Sequence, residues 1–92
     1  MRTEYNATKD AANQQKHGVS LALASEIDWQ SVLCFVDDRV DYGEVREVGY
    51  ALIERRLYSV VFVQRGETMR IISLRKANGR EVKHYEEAIQ SQ

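Results

Sequence analysis

Proline is absent from this sequence, and it holds one cysteine, one tryptophan and two histidines in 92 residues. These scarcities close off whole classes of chemistry. The lone thiol, Cys34 inside "VLCFV", cannot form an internal disulfide, and no Cys/His cluster has metal-ligand spacing. The sequence therefore predicts no metal and no cofactor, and reduced, cytoplasmic surroundings. No apolar run approaches the roughly 18 residues that span a bilayer, and the N-terminus has no signal-peptide core, so no membrane partner is expected. Repeats, low-complexity tracts and linker-like stretches are missing too. So is an excess of either charge: 13 Lys plus Arg stand against 14 Asp plus Glu. A near-neutral chain is not built for tight, unassisted binding to bulk nucleic acid.

What is present fits one globular domain over residues 1–92, burying roughly 60–65% of its unfolded surface. "NATKDAANQQKHG" reads as a short polar helix with Asn6 as N-cap and Gly18 in the left-handed position past its end. Lys16 and His17 fall in its last turn, where cations complement the helix dipole. "SLALASEI" reads as a second short helix capped by Ser20. Strands follow at 32–36, 45–53, 57–65 and 69–76, with a polar loop over 37–44 and a tight hairpin turn at Gly66. "NGREVKHYEEAIQ" closes the chain as a helix, with Val82, Tyr85, Ala88 and Ile89 at helical spacing. The expected class is α+β: two N-terminal helices, a four-stranded antiparallel meander with helices on one face, and a C-terminal helix.

The charge is unevenly placed. "RIISLRKANGREVKHY" (70–85) gathers five basic residues against one acidic. Strict alternation puts Arg70, Ile72, Leu74 and Lys76 on one side of the last strand and Met69, Ile71, Ser73 and Arg75 on the other. Arg65 and Arg70 flank the Gly66 turn, while Arg75 and Lys76 lie at the far end and run into Arg80. Taken singly, each is most simply a solvated charge blunting a sheet edge. As a set with an aromatic nearby, they point to nucleic acid. His17 reads first as a helix-end cap, His84 as an exposed residue, and Tyr85 as a core contact with its hydroxyl at the rim. Lys16, His17, Glu44 and Arg46 form a second candidate group, provided the fold brings them together.

"NATKDAANQQKHGVS", "GEVR" (43–46) and "VVFVQRGETMRIISLRKANGREVKHYEEA" come in the order seen in the BrnT toxins, and over about residues 6–88 the chain resembles that family. Asn6 replaces the usual Asp, Leu21 a usual Phe, and Leu74 a small residue. The resemblance implies a RelE-like fold and a toxin of a type II toxin–antitoxin pair. Such a toxin cleaves RNA and halts translation. Its antitoxin, of ribbon-helix-helix-like character, neutralises it and binds operator DNA, which the toxin reaches only through that complex. Monomer and homodimer both stay open.

Metal-free RNA cleavage needs a base for the ribose 2′-hydroxyl, an acid for the leaving oxygen, and cations for the charge that builds on phosphorus. Arginine suits the last role because its fork grips two phosphate oxygens. Arg46, Arg65, Arg70 and Arg75 are the candidates for phosphate. Glu44, His17, Lys16 and Tyr85 are those for proton transfer, and Lys16, His17, Lys76 and Arg80 those for substrate binding. The competing readings are a non-catalytic nucleic-acid-binding domain and a protein-interaction module using the same basic face.

Overall fold

The computed structural model describes residues 1–37 and 43–91, and at 35–37 the backbone alone. Most of the polar loop expected over 37–44 lies outside the described residues. The elements run β1 (Arg2–Glu4), α1 (Ala7–His17), a 3₁₀ helix at Leu21–Glu26, a 3₁₀ turn at Trp29–Ser31, β2 (Leu33–Asp37), β3 (Arg46–Ile53), β4 (Arg56–Arg65), β5 (Thr68–Lys76) and α2 (Gly79–Gln90). None of the described helices is long and apolar enough to cross a membrane.

Three expectations need correction. The sheet has five strands in the order β1-β5-β4-β3-β2 and is mixed, because the short β1 pairs parallel with β5. The second N-terminal helix is 3₁₀ rather than α. A six-residue segment capped at its start by Ser20 leaves little room for α-type pairing, and the tighter i→i+3 bond Leu23 N–H to Ser20 carbonyl forms instead. Finally, the helical segments pack on both faces of the sheet, not one. Leu21, Ala24 and Ile27 cover Ala51, Ile53, Tyr58, Val60, Phe62, Met69, Ile71 and Leu74. On the opposite face, Val82 and Tyr85 of α2 pack on Tyr50, Leu57, Ala77 and Leu33.

The first face is the main core. Leu21, Ile71, Leu74 and Val60 are fully enclosed there, and each contributes roughly 1.5–3 kcal/mol through burial. Trp29 meets Phe62 edge-on at 4.9 Å. Gly49 marks a close crossing: a Cβ at this position would lie 2.6 Å from Val32 Cγ1, so the chain entering β2 lies against bare backbone.

α1 is attached differently. Its only buried residue is Asn13. β1 covers β5 only from Thr68 to Arg70, which leaves the outer edge of β5 open beyond that point. Asn13 fills the gap as a strand would. Its Nδ2 donates to the carbonyls of Leu74 (2.7 Å) and Val19 (2.8 Å), and its Oδ1 accepts from Leu74 N–H (3.2 Å). Asp10, one turn earlier, accepts from Leu21 N–H at 2.7 Å and from the Ser20 hydroxyl at 3.1 Å, tying the same helix to the start of the 3₁₀ segment.

Replacing Asn13 by Ala leaves buried backbone groups of Leu74 and Val19 unpaired. The expected cost is about 2–4 kcal/mol of unfolding free energy in denaturant melts. Asn13→Leu, which is closer to isosteric but has no amide, should lose a similar amount. A loss below 0.5 kcal/mol in both variants, by the cited scale of roughly 1–3 kcal/mol per orphaned group, would refute the edge-filling role.

Candidate functional site

Cross-strand partners share a face of the sheet, so the register fixes where each strand arginine points. Along β4 and β5, Ser59 faces Arg75, Val61 faces Ser73, and Val63 faces Arg70, while Phe62 faces Ile71. Ile72 has no partner: a bulge opens at the Val61/Phe62 step. The extra residue reverses the parity of β5, so Arg70 and Arg75, five positions apart, lie on one face instead of two. The alternation expected from the sequence is wrong for this reason. Lys76 pairs with Tyr58 and falls on the core side, away from both arginines.

Two rows of side chains result. At one end Arg70 and Val63 lie side by side, extended by Glu4 on β1, which pairs with Arg70, and by Arg46 at the start of β3. Arg65 lies at the same end, paired with Thr68. At the other end Arg75, Ser59, Tyr50 and Leu33 form a row. Val48, Val61 and Ser73 floor the space between. The rows are about four strand residues apart, or roughly 13 Å. Val63, beside Arg70, is buried.

Arg65, Arg70 and Arg75 each have a carboxylate in contact. Arg65 meets Glu44 at 3.0 Å with 53% and 34% of the side chains exposed, and Arg70 meets Glu4 at 3.3 Å. Pairs this open contribute about 0–1 kcal/mol and yield to a better anion. Arg75 is held more firmly. Its two terminal nitrogens reach the two oxygens of Glu81 at 2.7 and 2.8 Å. The same Glu81 accepts from Asn78 N–H at 2.9 Å while Asn78 Oδ1 accepts from Glu81 N–H, a reciprocal cap on α2. The bond to Arg75 chiefly, and the Asn78 N–H after it, hold the Glu81 carboxyl below its ordinary value against the opposing effect of burial. Arg75 thus fastens the start of α2 to the sheet.

The ends of α1 and α2 both reach this part of the face. His17 is pushed below its ordinary value by partial burial first, then by the charges of Lys16 and Arg75. All three effects favour the neutral imidazole. Lys9, Lys16, His17, Ile72 and Ser73 line a groove of about 210 Å³ between α1 and the bulge. From the other side, Tyr50 meets Tyr85 edge-on at 6.3 Å and His84 at 6.5 Å. Burial chiefly raises the Tyr50 phenol, with Glu81 adding and Arg75 opposing.

The two candidate groups read from the sequence thus meet in part. Glu44 joins Arg65, and Arg46 shares the face with both. Lys16 and His17 lie near Arg75 rather than near Glu44. Tyr85 sits at the Arg75 end, packed on Tyr50, Leu57 and Ala77, and not beside Arg65 and Arg70. Arg80 is exposed in the first turn of α2. Sequence reasoning missed Tyr50, Glu4 and Glu81. Only Glu81 carried a signal, three residues after Asn78, the spacing of a reciprocal N-cap.

The Arg75–Glu81 clamp has a pH signature. The Glu81 carboxyl is depressed in the folded state, so its contribution is complete above the unfolded value of roughly 4.3 and is lost as pH falls through the folded one. Glu81→Gln should lower stability by about 1–2 kcal/mol at pH 7, discounted for the exposed side of Arg75. That gap should narrow when melts are repeated at about pH 3. An equal gap at both pH values would place the clamp's energy elsewhere.

Among the described residues, no group of three His, Cys, Asp or Glu side chains is arranged to hold a metal ion. No curated protein matches the chain in sequence. Residues 5–81, which include α1, every strand from β2 to β5 and the Arg75–Glu81 pair, match the family described as the ribonuclease toxin, BrnT, of type II toxin–antitoxin systems. With most of its length matched, the chain belongs to the BrnT family of ribonuclease toxins.

Proposed function

We propose that this protein is the toxin of a type II pair, cutting RNA at the arginine face without a metal ion and so blocking translation until its antitoxin covers that face. The observation that carries the reading is the β5 bulge. It puts Arg75 on the surface that Arg46, Arg65 and Arg70 share, on the side of His17.

The chemistry follows from that arrangement. A single RNA strand laid from the Arg46–Arg70 row to the Arg75 row spans the roughly 13 Å between them, about two backbone phosphates. Its phosphates displace Glu44 from Arg65 and Glu4 from Arg70, exchanges that cost little because those pairs are open. His17, uncharged, takes the proton from a ribose 2′-hydroxyl. The 2′-oxygen bonds to the adjacent phosphorus, the bond to the 5′-oxygen breaks, and a proton from the Lys16–His17 pair returns to the leaving oxygen. The products are a 2′,3′-cyclic phosphate and a 5′-hydroxyl. The arginines stabilise the added charge on the phosphorane, where one such donor is typically worth on the order of 10²–10³ in rate.

Expression without the antitoxin should arrest growth and shorten messenger RNA, and the purified protein should cut RNA in the presence of a chelator. Intact RNA in cells that contain folded protein would reject the nuclease reading in favour of a non-catalytic binding domain. Activity lost to the chelator and restored by a divalent ion would reject the metal-free route.

The arginine roles are tested by single Lys replacements, which keep charge but lose the fork. Arg65→Lys and Arg70→Lys should cut activity by at least about 10-fold with unchanged melts. Arg75→Lys should lose activity and stability together, and Tyr85→Phe should change activity by less than either. Full activity in all three Lys variants would remove the face from the mechanism.

A further inference from the structure

Beside the Arg75–Glu81 clamp, sharing Tyr50 with the Arg75 row, a groove of about 390 Å³ opens between β3 and α2, lined by Tyr50, Arg80, Glu81, Lys83, His84 and Glu87. Its size lies at the small end of the roughly 300–1,000 Å³ typical of ligand sites, enough for one nucleotide. Its lining is unlike the rest of the surface. Tyr50, 6% exposed, forms the floor. The exposed ring of His84 stands over it at 86°, so the two make an aromatic corner. Arg80 and Lys83 are exposed cations on the rim, and Glu87 is an exposed carboxylate one turn beyond Lys83. Glu81 belongs to this groove and to the clamp alike, so the groove adjoins Arg75 directly.

We infer that this groove is a base-recognition subsite that takes the nucleotide flanking the scissile phosphate and favours guanine. Single-stranded RNA is read by stacking splayed bases on aromatic rings while cations hold the backbone. The exposed His84 ring, held edge-on against the buried Tyr50, supplies the stacking surface. Arg80 and Lys83 supply the positive rim for that nucleotide's own phosphate. Glu81 is already occupied by Arg75 and Asn78, which leaves Glu87 as the acceptor for the base edge. A carboxylate accepts two parallel N–H bonds from guanine, whose ring N1–H and exocyclic amine lie side by side. Adenine, cytosine and uracil offer no such adjacent donor pair on their pairing edge. The same carboxylate, among two cations, repels a bare phosphate and so reserves the groove for a base.

This inference rests on the RNA-cutting reading, and the two can fail separately. Cleavage of a mixed-sequence RNA by the wild type, His84→Ala, His84→Phe, Arg80→Ala and Glu87→Gln should be mapped by end sequencing. KM and kcat follow on one short substrate, and affinity for a 2′-O-methyl oligonucleotide, which cannot be cut, is read by fluorescence anisotropy. His84→Ala should raise KM and weaken oligonucleotide binding about 10-fold, within the range measured for one lost base stack, and leave kcat within about threefold. His84→Phe should restore binding. Glu87→Gln should flatten the guanine preference at the flanking position. If the wild type cuts RNA but all four variants keep its KM and its base preference, the subsite is wrong and the nuclease stands. If the variants weaken only the complex with the antitoxin, the groove is a protein dock and the inference falls. A wild type that neither cuts nor binds RNA removes both.

Discussion

Most of this molecule's geometry depends on one buried amide. Asn13 is the only residue by which α1 enters the interior, and it grips β5 through both backbone groups of Leu74. Leu74 lies between the bulged Ile72 and the clamped Arg75. The amide therefore measures off the strand just where its register changes. A slip of one residue would present Ser73 or Arg75 to Asn13 and turn a different side chain outward. Lys16 and His17 reach Arg75 because of this grip and the Asp10 tie to Ser20 and Leu21, since α1 has no apolar face strong enough to seat it.

The sheet divides its labour by face. On the core side, aliphatic burial by the 3₁₀ segment supplies the stability. The other face is only half closed. α2 covers the Tyr50 end through a small second cluster and the Arg75–Glu81 pair, while the Arg46–Arg70 end carries the open Arg65–Glu44 and Arg70–Glu4 pairs. A face with so little apolar cover stays dry only where long side chains lie along it.

How much of this was legible in the sequence depends on whether the cause was local. The caps of α1 were readable because Asn6 and Gly18 do their work within one turn, and Asn6 Oδ1 indeed accepts from Thr8 and Lys9 N–H at 2.8 and 3.1 Å. The strands of the β4–β5 hairpin were readable because the turn and its flanks are contiguous. β1 was not, because Arg-Thr-Glu carries no apolar pattern and becomes a strand only through an edge that β5 offers from far along the chain. The bulge was hidden because Ile71 and Ile72 are the same residue, so the pattern gives no hint of which one pairs. That single ambiguity misplaced Arg75 relative to Arg70. Glu44 and Arg65 appeared as separate candidates and proved to be partners. Tyr50 gave no sign of its position, since one aromatic in a strand reads as ordinary core.

The carboxylates that accompany the arginines have a consequence for what the face can select. Glu44, Glu4 and Glu81 act as counter-ions built into the chain. An isolated phosphate reaching one arginine merely trades places with one carboxylate and gains almost nothing. A polymer whose phosphates arrive at several arginines together displaces several carboxylates while spending its freedom of motion once. The surface thus behaves as an ion exchanger with a threshold. For the proposed RNA substrate, such a surface favours the regular spacing of a strand over free nucleotides.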